Sequence, residues 1–149
     1  MELLNEMNLS VKSLSINESF VRSTVAAFCV SANPSLDEIA DIKTAVSEAI
    51  TNCVVHAYPN KVGNINIKVK LYKERVDISI TDYGCGIDNI GLAVQPFFTT
   101  KPNQDRSGMG FTVMESFMDK LNVERNKTSG ITVHMSKNFN SNISCVAGA

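Results

Sequence analysis

Apolar residues recur along this chain with two different periods. From a start at Ser35 to about Tyr58 they return every three or four positions, through Ala45, Val46, Ala49, Ile50 and Val54, which predicts one long helix with an apolar stripe. Ser35 followed by Glu38 supplies a capping-box start, and Pro59 with the turn from Asn60 to Gly63 supplies the stop. Further on, Ile65, Ile67, Val69 and Leu71, then Val76, Ile78 and Ile80, alternate with polar residues. That period predicts a β-hairpin turning at Lys73, Glu74 and Arg75, one face aliphatic and the other free to meet water.

The remaining elements are shorter. The stretch from Leu9 to Leu14 reads as an edge strand. A helix opening at Ser15 or Asn17, with Glu18 in its first turn, carries Phe20, Val21, Val25, Ala26, Phe28 and Cys29, and ends at Asn33 and Pro34. Arg22 falls one step round this helix, on a face expected to be exposed. Gly110 to Met118 resumes helical spacing. Leu121 to Arg125 and Ile131 to Met135 form a closing hairpin. Between Ile87 and Arg106 periodicity is lost, and a connection this long inside a compact chain reads as a functional lid. The order predicts an α+β domain, with helices on one face of a mixed, largely antiparallel sheet. It spans residues 7–138, and the Asn- and Ser-rich residues 139–149 form a disordered tail.

Composition narrows the function classes. The chain has 149 residues, 44% hydrophobic and 19% charged, with a formal net charge of -1, so no basic field favours DNA or an anionic membrane. Cys29, Cys53, Cys85 and Cys145 are isolated, without zinc spacing, and read as reduced thiols of a cytoplasmic protein. No apolar run is long enough to span a bilayer.

Candidate chemistry lies on the long helix and in two glycine-rich segments. Glu48 and Asn52 stack one turn apart. A carboxamide oxygen at Asn52 can ligate Mg²⁺, and Glu48 can accept a proton from an attacking hydroxyl. Asp82 ends a strand just before Gly84 and Gly86; its carboxylate suits an exocyclic amine, and the glycines let backbone approach a flat ring, as an adenine site requires. Gly108 and Gly110 open a helix whose free N–H groups, near Lys101 and Arg106, suit a polyphosphate. His56 continues the helix face but reads as a structural hydrogen-bond partner. The Walker motif and the protein-kinase motifs are missing from the sequence.

Glu48-x-x-x-Asn52, Asp82-x-Gly84-x-Gly86 and Gly108-x-Gly110 match, in order and spacing, the N, G1 and G2 boxes of the GHKL superfamily. Residues 18–28, 47–52, 96–102 and 106–111 further resemble the small anti-sigma factor serine kinases of that superfamily. The resemblance covers about residues 7–138. It departs at Phe97, where close relatives often carry leucine, and in the tail.

That resemblance implies a Bergerat-type two-layer sandwich that binds ATP and Mg²⁺. It implies a protein that holds a sporulation sigma factor of the sigma-F type inactive and phosphorylates a serine of an anti-anti-sigma antagonist, as a homodimer. By position it puts the general base on Glu48, the magnesium ligand on Asn52, and adenine recognition on Asp82 and Thr132. It puts lid and phosphate contacts on Thr99, Thr100, Lys101, Arg106, Ser107, Gly108 and Gly110, and the shared protein-partner contact on Arg22. Two alternatives stand beside it. One is a catalytically idle, nucleotide-gated sigma-binding module. The other is a detached histidine-kinase ATPase domain, disfavoured because the chain is expected to start almost directly with its first strand.

Overall fold

The computed structural model describes residues 1–85 and 105–140, and in the second stretch the side chains from Gly110 onward. Five strands form one sheet in the order β1 (Leu3–Lys12), β2 (Asn64–Tyr72), β3 (Arg75–Asp82), β5 (Ile131–Asn138) and β4 (Lys120–Arg125). All four pairings are antiparallel. Three helices, α1 (Ile16–Cys29), α2 (Leu36–Asn52) and α3 (Asp105–Phe117), pack with α2 between the other two.

The alternation read in the sequence sets the faces. Ile65, Ile67, Val69 and Leu71 of β2, with Val76, Ile78 and Ile80 of β3, are all buried against Val21, Val25, Ile42, Ala45, Val46, Ala49, Ile50 and Met114 of the helices. The intervening residues face away from the helices. Because the side-chain period of a strand is two, Asp82 takes the next core-facing position after Ile80. The strand's apolar face thus ends in a carboxylate.

The long helix begins as its sequence predicts. The Ser35 hydroxyl accepts the Glu38 N–H at 3.1 Å, and the Glu38 carboxylate accepts the Ser35 N–H at 2.8 Å, a reciprocal cap worth about 1 kcal/mol. Glu38 also accepts the Asn140 N–H at 2.7 Å, and Phe139, fully buried, donates its N–H to Glu74 at 2.8 Å. The end of β5 is thereby tied to the start of α2.

Four local features differ from the pattern-based expectation. α3 begins at Asp105, ahead of the helix read from Gly110, so Gly108 and Gly110 lie within it and do not open it. β1 starts at Leu3, ahead of the strand read from Leu9, since its first residues are exposed and lack alternation. Ser15 stands before α1 without capping it through its side chain; Asn17 instead donates to the Lys12 carbonyl at 2.8 Å. The α-helix proper ends at Asn52 and continues as a π-helical turn, Cys53–Ala57, before Tyr58 and Pro59 stop it.

Candidate functional site

The site is built where the C-terminal end of α2 meets the end of β3, the start of β5 and the first two turns of α3. Glu48 lies in the last full stretch of α2, 9% exposed, and Asn52 ends that helix one turn later. Both polar atoms of the Asn52 carboxamide are buried and have no hydrogen-bond partner among the described residues. A buried amide without partners costs several kcal/mol in an apolar setting, so it marks a position built for a ligand. Opposite it stands Gly110 of α3, where a β-carbon would lie 2.8 Å from Asn52 Nδ2 and 3.0 Å from Oδ1. Glycine there lets the two helices close without displacing the carboxamide.

Next comes the π-helical turn, whose wider ring takes His56 off the Glu48–Asn52 line. Its carbonyls receive the loop after β3. Cys85 donates its N–H to the Ala57 carbonyl at 3.1 Å and its thiol to the His56 carbonyl at 3.0 Å. Gly84 packs so tightly that a β-carbon would lie 2.0 Å from the Ala57 oxygen. Gly84 therefore serves docking of the loop onto α2.

Asp82 is held from several sides. Its Oδ1 accepts the Gly84 N–H at 3.0 Å and the Ile131 N–H at 3.3 Å, while Oδ2 faces the Cys53 thiol at 4.0 Å. Burial raises its pKa, and the two N–H donors oppose that rise. The same burial, with the Asp82 charge added, pushes the Cys53 thiol far up, so Cys53 is a neutral neighbour. Oδ2 is the oxygen left to accept from a bound group. Gly130, at φ +83°, brings the chain across this residue, and a β-carbon there would stand 2.2 Å from the Asp82 carbonyl oxygen.

Thr132 is not at the carboxylate. The register pairs Thr81 with Thr132, so both point to the sheet face opposite Asp82, their hydroxyls 2.9 Å apart. The β5 residue that reaches Asp82 is Ile131, through its backbone. Thr132 also donates to Asn126 Oδ1 at 2.7 Å, and Asn126 Nδ2 donates to the Asp82 carbonyl at 2.7 Å. Neither Asn126 nor Tyr58 stands out in the sequence; the first reads as a turn former and the second as the residue before a helix-stopping proline. Tyr58 is 5% exposed, and its hydroxyl accepts the Tyr83 N–H at 2.6 Å and donates to the Asn64 carbonyl at 2.7 Å.

Arg22 is half-buried rather than on an open face. It reaches Glu18 at 3.3 Å, Ser19 at 3.3 Å and Ser47 at 3.5 Å, and Ser47 in turn donates to Glu18. Arg22, Glu18 and Ser47, with residues of α2 from Leu36 to Thr44, line an open hollow of about 700 Å³ that includes Glu48. Arg22 and the expected base therefore share one hollow. Gly86, Thr99, Thr100 and Lys101, with most of the segment read as a lid, lie outside the described residues. Arg106, Ser107 and Gly108 fall on the first turn of α3 by their backbone.

Among the described residues no group of three acidic, histidine or cysteine side chains could hold a metal. A lone carboxamide fits a hard cation whose other ligands come from a bound phosphate chain and water. No helix among the described residues is long and apolar enough to cross a membrane.

A helical layer over an antiparallel sheet, with Asn52 one turn after Glu48 and against Gly110 of the next helix, and an aspartate closing a strand, defines the class of histidine kinase-like ATPase domains, whose family model matches residues 14–137. The chain is 51% identical over 137 residues to the anti-sigma F factor of Thermoanaerobacter sp. (strain X514), covering 92% of this chain and 96% of that protein. It is 49% identical to the anti-sigma F factor of Bacillus licheniformis, covering 91% and 93% of the two chains. In fold it matches a crystal structure of the RsbU and RsbW domains of a Mycobacterium tuberculosis protein, with TM-score 0.65, 18% identity, and 89% of this chain against 32% of that one. This chain belongs to the anti-sigma F factor family of histidine kinase-like ATPase domains.

Proposed function

We propose that the chain is a cytoplasmic, homodimeric anti-sigma factor that sequesters a sporulation sigma factor of the sigma-F type and uses Mg·ATP to phosphorylate a serine of its anti-anti-sigma antagonist. The observation that carries the catalytic part is the buried Asn52 carboxamide without partners among the described residues, one turn from Glu48 and pressed by Gly110. The names of the relatives support the sigma-factor part.

In this reading Asp82 accepts the adenine amine through Oδ2, Gly86 lets the ring approach, and Gly84 contributes by holding the loop against the Ala57 carbonyl. Thr132 acts at second remove, through Asn126. Arg106, Ser107 and Gly108, on the first turn of α3, offer N–H groups and charge to the phosphates, Gly110 lies behind them against Asn52, and Thr99, Thr100 and Lys101 contribute from the lid. Asn52 offers Oδ1 to the metal. Magnesium and the nucleotide, when bound, supply the transferable phosphoryl group and the positive charge that offsets its oxygens. Glu48 would accept the proton of the serine hydroxyl as the serine O–P bond forms and the β,γ P–O bond breaks to release ADP, a role suited to its sheltered position at the edge of an open hollow. Arg22, in the same hollow, contacts both protein partners, so a docked partner lies beside the base.

Titration of the purified protein with ATP, with and without Mg²⁺, tests the site. Binding that needs Mg²⁺ in the parent protein and loses that requirement in Asn52→Ala supports the assignment. Equal Mg²⁺ dependence in both would contradict it.

A further inference from the structure

Tyr58 and Asn126 grip the backbone on either side of the Asp82 carboxylate. The Tyr58 hydroxyl accepts the N–H of Tyr83, the residue after Asp82, and donates its O–H to the Asn64 carbonyl at the start of β2. Asn126 Nδ2 takes the Asp82 carbonyl itself, and its Oδ1 is fixed by Thr132. Ser129 adds a bond to the Tyr83 carbonyl at 2.9 Å. Tyr58 is in turn wedged by Gly63, where a β-carbon would stand 2.2 Å from its ring. Every donor and acceptor of the Asp82–Tyr83 peptide link thus ends on a side chain from another element.

A carboxylate reads a base only if its free oxygen is held still, because hydrogen-bond strength falls steeply with misalignment. Oδ1 is already committed to Gly84 and Ile131, and Oδ2 has only a long contact with the Cys53 thiol at 4.0 Å, so its direction depends on the backbone beneath it. We infer that Tyr58 and Asn126 are positioning residues that set the base selectivity of the nucleotide site, acting through Asp82 without touching the nucleotide. The inference rests on the adenine-site reading of Asp82. It predicts a specific signature: loss of the grip weakens recognition of a 6-amino purine and leaves a 6-oxo purine, which offers Asp82 no amine at that position, bound as before.

The test compares Mg²⁺ titrations of ATP and inosine triphosphate in the parent protein, Tyr58→Phe and Asn126→Ala, with amide hydrogen exchange at Tyr83 followed without nucleotide. The expected result is a parent preference for ATP, an ATP affinity about tenfold lower in each variant, and an unchanged inosine triphosphate affinity. Faster exchange of the Tyr83 amide in Tyr58→Phe accompanies it. If Tyr58→Phe does not fold, Asn126→Ala, on the exposed turn side of the grip, decides the matter alone. Variants that lose both nucleotides equally, or that keep the parent ratio, overturn the inference. A parent protein with no preference between the two nucleotides overturns the adenine-site reading instead.

Discussion

The backbone of Gly110 lies against the carboxamide of Asn52, so near that a β-carbon would come within 2.8 Å of Nδ2. Helix α3 therefore lids a polar group that the fold leaves without a partner among the described residues. The obstruction would fall on the end of a movable side chain, not on backbone. Gly110→Ala is accordingly expected to keep the fold, with helix propensity improved by up to about 1 kcal/mol. Mg²⁺-dependent ATP affinity should fall by about tenfold or more as Asn52 is pushed aside. Thermal melting and titration calorimetry on the same sample separate the two effects; a variant with parent affinity would contradict the role of this contact.

Asp82 gives a pH-dependent prediction. Its pKa is raised in the folded chain, first by burial, against an ordinary value of 3.8. Its contribution to stability is therefore fully present below the ordinary value and is lost as pH rises through the raised one. Asp82→Asn keeps an oxygen for the Gly84 and Ile131 N–H groups and carries no charge. The variant should gain thermal stability relative to the parent between pH 4 and pH 7, while turning an N–H₂ toward the adenine amine and losing ATP binding. Melting curves across that range that run parallel for the two proteins would contradict it.

Gly130 turns across Asp82 at φ +83°. Gly130→Ala meets both a left-handed backbone and the Asp82 carbonyl, 2.2 Å from the new carbon, and should destabilise the fold by about 2 kcal/mol in urea unfolding. A loss under about 0.5 kcal/mol would mean that this turn is less constrained than its geometry indicates.

Arg22 should separate partner binding from nucleotide binding. It sits in the hollow beside Glu48 and is bonded to Glu18, Ser19 and Ser47, not to Asn52 or Asp82. Arg22→Ala is expected to leave ATP affinity within about twofold and to abolish capture of a sigma-F-type sigma factor on a size-exclusion column. Parallel loss of both would place Arg22 in the nucleotide site.

Much of this site is legible in the chain, for identifiable reasons. The spacing of Glu48 and Asn52 is a helix period, and the alternation from Val76 to Ile80 carries directly on to Asp82. What is not legible depends on register and on contacts between distant segments. Thr132 turns away from the carboxylate because β3 and β5 pair Thr81 with Thr132, a parity that no single strand reveals. The π-helical turn at Cys53–Ala57 leans on the Cys85 bonds to its carbonyls, and Tyr58 matters through a hydroxyl that links β2 to the end of β3. Arg22 reads as exposed on a helical wheel, yet Ser47 of the neighbouring helix half-covers it.

The central claim is that Glu48 takes the proton in a phosphoryl transfer to a protein serine. Its most direct test incubates the purified protein with Mg·ATP and a purified anti-anti-sigma protein, and follows acid-stable phosphate on that partner for the parent and for Glu48→Gln. Phosphoserine is expected with the parent, with a rate at least about a hundredfold lower for Glu48→Gln and ATP affinity nearly unchanged between them. Transfer by Glu48→Gln at close to the parent rate would contradict it.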